Sequence, residues 1–93
     1  MDLTGKQVLV AGLGKSGIAA GALLKKMGCM VCLFDGNEKF DRSAWKKTYP
    51  VFSDCPLWIG ELPDAAVQEM ELAVVSPGIP LDTPAILKLQ AAG

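Results

Sequence analysis

The feature that most constrains the fold is an apolar run that leads through glycines directly into a helix-forming stretch. Residues 6–11 (KQVLVA) are rich in β-branched side chains, and the run ends at Gly12. Residues 16–27 (SGIAAGALLKKM) are rich in Ala and Leu, end near two lysines and are followed by Gly28. Such lysines suit the carboxyl end of the helix dipole, and glycine suits the left-handed cap. The order strand, tight turn, helix predicts the first unit of a parallel sheet.

Three further apolar runs predict strands at 29–34 (CMVCLF), 57–59 (LWI) and 72–75 (LAVV). Continuous runs without polar alternation are typical of strands buried on both faces. Proline, acid or threonine signals predict helices at 63–70 and 83–93, with a shorter one near 43–47. The alternation predicts an α/β fold: one domain with a Rossmann-like, doubly wound parallel sheet of about four strands in the order 3-2-1-4.

Composition and charge exclude several classes of function. The 93 residues carry a net charge of −1, and their Lys and Arg form no stripe with interleaved aromatic residues, so no nucleic-acid partner is expected. No apolar run is long enough to span a bilayer, and the first residues (MDLTGKQ) do not form a secretory signal. The three cysteines and the lack of histidine favour a cytoplasmic protein without a metal site.

The glycine-rich turn (GLGKSG, 12–17) combines parts of two phosphate motifs. A P-loop, G-x-x-x-x-G-K-S/T, would need glycine at position 9, where Leu9 lies inside the first predicted strand. The G-x-G-x-x-G spacing, by contrast, follows a strand, opens a helix and precedes Asp35 by about 20 residues, where an acid can bond a ribose. This pattern predicts a nucleotide-type anion site rather than an ATP-type P-loop.

Each position of this turn has a separate predicted role. Gly12 permits the tight turn, Gly14 lets an anion approach the backbone, and Gly17 lets the helix pack closely. Lys15 adds a mobile positive charge and Ser16 a hydroxyl donor. The alternative is that the glycines serve only helix–sheet packing, and the motif does not specify which nucleotide would bind.

A second loop, VVSPGIP (74–80), follows the last predicted strand. In open α/β sheets, ligands bind beyond the carboxyl ends of the strands, where the strand order reverses. The order 3-2-1-4 places this loop beside the glycine turn, so the Ser76 hydroxyl and the Gly78 N–H group are candidate contacts. A rigid turn into the next helix is the alternative interpretation.

The motif Cys29-x-x-Cys32 resembles a redox or zinc pair, but it falls in a predicted strand. Positions i and i+3 of a strand point to opposite faces, so we expect two separate buried thiols.

Taken together, AGLGKSG, FDG and VVSPGIP resemble the N-terminal domains of Mur ligases, and within that family those of the D-glutamate-adding enzymes. The resemblance covers essentially the whole chain. It implies that residues 1–93 form an N-terminal UDP-substrate-binding domain, with central ATP-binding and C-terminal domains beyond residue 93. Carried over by position, the resemblance assigns the diphosphate to Gly14, Lys15, Ser16 and Gly17, the uridine to Asp35, Gly36 and Asn37, and the wall near the uridine and first sugar to Ser76, Pro77 and Gly78. The family often has Thr or Arg after the aspartate, where this chain has Gly36 and Asn37.

The family's chemistry is the ATP-dependent joining of D-glutamate to UDP-N-acetylmuramoyl-L-alanine in peptidoglycan precursor synthesis. The resemblance implies that ATP phosphorylates the substrate carboxylate and that the D-glutamate amine attacks the acyl phosphate. ATP and Mg²⁺ would act in the absent domains, so we expect this chain to contain no catalytic residue and to be inactive alone. Two alternatives share the glycine motif: an NAD(P)- or FAD-binding domain of an oxidoreductase, and a non-catalytic nucleotide-sensing domain.

Overall fold

The computed structural model describes residues 4–75, 87 and 89–91, and it forms a four-stranded, all-parallel sheet. The strand order is β3-β2-β1-β4, which confirms the predicted order. The strands are β1 (Gln7–Ala11), β2 (Met30–Asp35), β3 (Leu57–Ile59) and β4 (Leu72–Val75).

Helices fill the connections between the strands. They are α1 (Lys15–Lys26), α2 (Arg42–Thr48), a 3₁₀ turn (Pro50–Phe52) and α3 (Asp64–Glu69). Their bounds lie within one residue of the predicted ones, although the 3₁₀ turn was not predicted. Of the helix expected at 83–93, residues 87 and 89–91 are helical and the rest lie outside the described residues.

Local chemistry accounts for where the helices begin and end. Lys25 and Lys26 occupy the last turn of α1, where the dipole favours positive charge. Helix α2 is capped by Asp41, whose Oδ1 accepts a hydrogen bond from the Ala44 N–H at 3.0 Å. Asp64 lies in the first turn of α3, where negative charge is stabilising.

The sheet buries both faces, which confirms that it is doubly wound. On one face, Val8 and Val10 pack with Phe52 beneath α1 and the 3₁₀ turn. On the other face, their neighbours Leu9 and Ala11 pack against the α3 side. Alternate residues of β1 therefore belong to different cores, as the two-residue period of a strand requires.

The cysteine motif is divided by the same alternation. Cys29 packs against the core beneath α1, whereas Cys32 belongs to the core beneath α3. The prediction that the two thiols lie on opposite faces is confirmed, and both are free. Cys32 is buried as expected, but Cys29 precedes β2 and is only half-buried.

The strand register aligns the strand ends from which the predicted site loops leave. Ala11, the last residue of β1, pairs with Phe34 of β2 and with Val75 of β4. Asp35, the next residue of β2, pairs with Ile59 at the end of β3. The carboxyl ends of β1, β2 and β4 therefore lie at one level, with β1 between its two neighbours. Within the described residues, no helix is long and apolar enough to cross a membrane.

Candidate functional site

The glycine turn is anchored between β1 and β2. Gly12 has a φ of 93°, a left-handed conformation that favours glycine. Its N–H donates to the Phe34 carbonyl at 2.8 Å. A Cβ built on Gly17 would lie 1.9 Å from the Gly12 carbonyl oxygen. The predicted roles of both glycines are thus confirmed in substance, with one refinement: Gly17 packs mainly against the turn rather than against the strand.

Helix α1 begins without a side-chain cap. Gly14 is its N-cap residue, in an extended conformation (φ −80°, ψ −166°), and no side chain caps the helix. The first N–H that closes a helical turn belongs to Ile18, which donates to the Gly14 carbonyl at 2.9 Å. The N–H groups of Lys15, Ser16 and Gly17 precede it and have no intrahelical acceptor. Their dipoles favour an anion at this end of the helix.

Among the described residues, nothing obstructs the N-cap position of this helix. A Cβ built on Gly14 would meet no atom of the described residues within 4 Å. Lys15 and Ser16 are exposed, and the first turn contains no acidic residue that would repel an anion. The sequence-predicted diphosphate residues Gly14, Lys15, Ser16 and Gly17 are therefore brought together around one accessible helix start.

Asp35 lies beside this turn, and both of its carboxylate oxygens are engaged. Oδ2 accepts the Leu13 N–H at 3.1 Å, and Oδ1 accepts the Asn37 N–H at 2.9 Å. The first bond reaches into the glycine turn, and the second holds the start of the loop that follows β2. The sequence had assigned Asp35 to a ribose, and it gave no signal for these two bonds because backbone N–H groups carry no residue signature.

The loop of residues 36–40, called the β2 loop from here on, is ordered by its own hydrogen bonds. The Oδ1 atom of Asn37 accepts the Lys39 N–H at 3.0 Å, and the Asn37 carbonyl accepts the Phe40 N–H at 2.9 Å. This arrangement leaves the Asn37 Nδ2 group without an acceptor among the described residues. Gly36 is exposed, and a Cβ there would lie 3.9 Å from the Phe34 ring. Of the sequence-predicted uridine-side residues, Gly36 and Asn37 therefore lie in an exposed loop beside the glycine turn, directly after the partly buried Asp35 at the end of β2.

Gly60, directly after β3, contacts the β2 loop in a way that the sequence did not indicate. The Gly60 N–H donates to the Asp35 carbonyl at 2.8 Å. A Cβ on Gly60 would come within 3.0 Å of the Glu38 Cγ, so the β2 loop packs closely on this turn. Only the register of β2 with β3, which a sequence does not specify, brings these residues together.

Of the second predicted loop (74–80), the structure describes residues 74 and 75. Ser76, Pro77 and Gly78 lie outside the described residues. The structure places Val75, the residue before them, in register with Ala11 at the root of the glycine turn. Among the residues that are described, no group of three His, Cys, Asp or Glu side chains could hold a metal ion.

The groups with shifted pKa values are not among the candidate site residues. The Lys25 Nζ lies 2.7 Å from Asp54 Oδ1, and this hydrogen bond lowers the pKa of the Asp54 carboxyl and raises that of Lys25. Burial raises the pKa of the Cys32 and Cys55 thiols. These groups join α1 to the segment before β3 or fill the cores, and thus support the sheet that carries the loops.

The fold and the helix start define the class: a Rossmann-like α/β domain whose first helix opens at a glycine turn. The family follows from comparison with known sequences. A family model described as "Mur ligase MurD-like, N-terminal domain" matches residues 6–93, and the chain belongs to this family.

Curated relatives agree with the family. The chain is 42% identical over its whole length to the UDP-N-acetylmuramoylalanine--D-glutamate ligase of Lachnospira eligens and covers 20% of that protein. It is 45% identical, over 87% of its length, to the ligase of the same name from Caldicellulosiruptor saccharolyticus, of which it covers 18%. The Clostridioides difficile ligase is 37% identical over the whole chain, which again covers 20% of the relative. The chain thus spans about a fifth of the length of these proteins.

Proposed function

We propose that this chain is the domain that holds the UDP part of the substrate in a ligase that joins D-glutamate to UDP-N-acetylmuramoyl-L-alanine. The observation that carries the proposal is the uncapped, open start of α1, with Asp35 and the β2 loop beside it. An accessible helix N-terminus suits a diphosphate, and the neighbouring loop suits the nucleoside attached to it. The names of the relatives supply the particular substrate.

Each group in the proposed site has a defined task. The N–H groups of Lys15, Ser16 and Gly17 donate to the diphosphate oxygens, and the Lys15 ammonium adds a mobile positive charge. Charge-assisted hydrogen bonds of this kind contribute about 1.5–3 kcal/mol each. Gly14 has no side chain, so the diphosphate can approach the start of the helix. The Asn37 Nδ2 group, free of other acceptors in the described part, suits a carbonyl oxygen of the base.

The residues on the other side of the proposed binding site are proposed from their position in the sequence. Ser76, Pro77 and Gly78 follow β4, whose end is paired with the end of β1. A loop at that position faces the topological switch point, where α/β domains bind their ligands.

The chemical step belongs to the whole protein in this proposal. ATP supplies the phosphoryl group that activates the substrate carboxylate, and parts of the protein outside this chain bind ATP, Mg²⁺ and D-glutamate. The residues of this chain hold and orient the UDP end, and remote binding energy of this kind positions the reacting end of a substrate. The chain alone is expected to have no ligase activity, and the whole protein is expected to act in the cytoplasm on peptidoglycan precursors.

The proposal is tested by measuring thermal stabilisation with a set of ligands: UDP, UDP-N-acetylmuramoyl-L-alanine, NAD and FAD. A ligand that binds only the native state adds about 2.7 kcal/mol of stability at a concentration 100 times its Kd. We expect stabilisation by both uridine ligands. Stabilisation by NAD or FAD with no response to UDP would instead assign the chain to oxidoreductase-type cofactor binding.

A pair of valine substitutions localises the site. Gly14→Val places a side chain in the open space before α1, at a φ of −80° that valine also adopts, and should abolish UDP binding. Ala19→Val adds a similar side chain on an exposed part of the same helix and should leave UDP binding unchanged. Equal UDP affinity in the two variants would show that the anion does not bind at this helix start.

A further inference from the structure

We propose that Asp35 is a positioning residue for the diphosphate, because its carboxylate ties the glycine turn to the β2 loop. This inference rests on the proposed function and goes beyond it. The sequence interpretation gave Asp35 a contact with the nucleoside. The hydrogen bonds of its carboxylate give it a second role, which affects binding of the diphosphate.

The geometry is that of a bridge between two loops. One oxygen of the carboxylate holds the Leu13 N–H and the other holds the Asn37 N–H, at 3.1 and 2.9 Å. The bridge itself is fixed, because the Asp35 carbonyl accepts the Gly60 N–H at 2.8 Å and its backbone pairs with Ile59. Asp35 therefore provides a rigid reference for both loops.

The bond to Leu13 matters most for the anion site. Leu13 lies between Gly12 and the N-cap residue Gly14, and its side chain is 5% exposed in the core beneath α1. A buried N–H group that loses its acceptor is costly, so the turn must rotate to find another one. Such a rotation begins one residue before the N-cap and redirects the N–H groups of the first turn of the helix. Removing the carboxylate should therefore weaken anion binding even though a carboxylate by itself repels an anion.

Inorganic pyrophosphate separates this role from a nucleoside contact, since it has neither base nor ribose. If Asp35 only contacts the nucleoside, Asp35→Ala should bind pyrophosphate at least as well as the parent chain. If Asp35 positions the turn, pyrophosphate affinity should fall by about tenfold, which corresponds to the loss of one buried hydrogen bond. Asp35→Asn keeps an acceptor for only one of the two N–H groups and should show a smaller loss.

The experiment is a titration with pyrophosphate, and separately with uridine, followed by two-dimensional amide NMR of the 93-residue chain. The matched control is Asp41→Ala, which also removes a carboxylate that accepts a backbone N–H, but at the start of α2. The control should lose stability and keep the parent affinity for pyrophosphate. If Asp35→Ala does not fold, Asp35→Asn at the same ligand concentrations provides the comparison.

The outcomes are distinct. A pyrophosphate Kd raised in the Asp35 variants and unchanged in Asp41→Ala supports the inference. Parent-like pyrophosphate binding in the Asp35 variants, with only uridine weakened, would overturn it while leaving the proposed function intact. A parent chain that binds neither pyrophosphate nor UDP would refute the proposed function, and the inference with it.

Discussion

Gly17→Ala is the substitution whose effect the structure defines most closely. The added Cβ would lie 1.9 Å from the Gly12 carbonyl oxygen and 3.0 Å from its carbon, where ordinary contacts begin at 3.4 Å. The obstacle is backbone rather than the end of a flexible side chain. Gly12 is held by its bond to Phe34 at 2.8 Å and by its left-handed conformation, so it cannot move away freely.

Two opposing effects set the magnitude. Overpacking of a filled site costs about 1–3 kcal/mol, and the upper end applies where a backbone carbonyl must move. Alanine is favoured over glycine within a helix by up to about 1 kcal/mol. The net expectation is a loss of about 2 kcal/mol in the free energy of unfolding. For a domain of this size, that corresponds to a decrease of about 8–16 °C in Tm.

The assay is urea and thermal unfolding followed by far-ultraviolet circular dichroism. The matched control is Gly14→Ser, in the same turn, where an added Cβ meets no described atom within 4 Å. Serine is a good N-cap residue, so this variant should equal the parent chain or gain a few tenths of a kcal/mol. If Gly17→Ala unfolds within about 0.5 kcal/mol of the parent, a range typical of unconstrained surface sites, the close packing of α1 on the turn is wrong.

Three further predictions concern the supporting structure. Phe52→Ala should cost about 3–5 kcal/mol in urea unfolding, because Phe52 is 0% exposed and fills the core beneath α1. Asp54→Asn should lower Tm near neutral pH, because it removes the charged partner of Lys25. Since Lys25 holds the pKa of the Asp54 carboxyl below 3.8, the difference in Tm from the parent should vanish as pH falls through that depressed pKa. A difference in Tm that does not change with pH would contradict the pairing. Cys32 and Cys55 are buried and have raised pKa values, so a thiol reagent should modify them at a measurable rate only on unfolding. Rapid labelling of the native chain at these two positions would contradict their burial.

Much of the fold was predictable because its signals are local. The apolar runs predicted all four strands, and the strand order was predicted from the general preferences of doubly wound sheets. The turn at Gly12 and the close packing of the helix at Gly17 were predicted because both depend on backbone geometry within a few residues. The 3₁₀ turn at Pro50–Phe52 was missed because its stability comes from burying Phe52 against α1, which no local pattern shows.

For the candidate site, the sequence predicted where some residues lie in the fold but not how they are connected. The sequence placed Gly14, Lys15 and Ser16 at a helix start, and the structure brings them there. It did not indicate that the Asp35 carboxylate bonds two backbone N–H groups, or that Gly60 packs on the β2 loop. Those contacts depend on strand register and on backbone atoms that are the same in every residue.

The central claim, that a uridine diphosphate binds at the start of α1, is tested most directly by titrating the chain with UDP and recording the NMR shifts of its backbone N–H groups. We expect the largest shifts at the N–H groups of Lys15, Ser16 and Gly17, with a second group at Gly36 and Asn37. Saturating UDP that shifts none of these amides, or that shifts only residues on the opposite edge of the sheet, would contradict the claim.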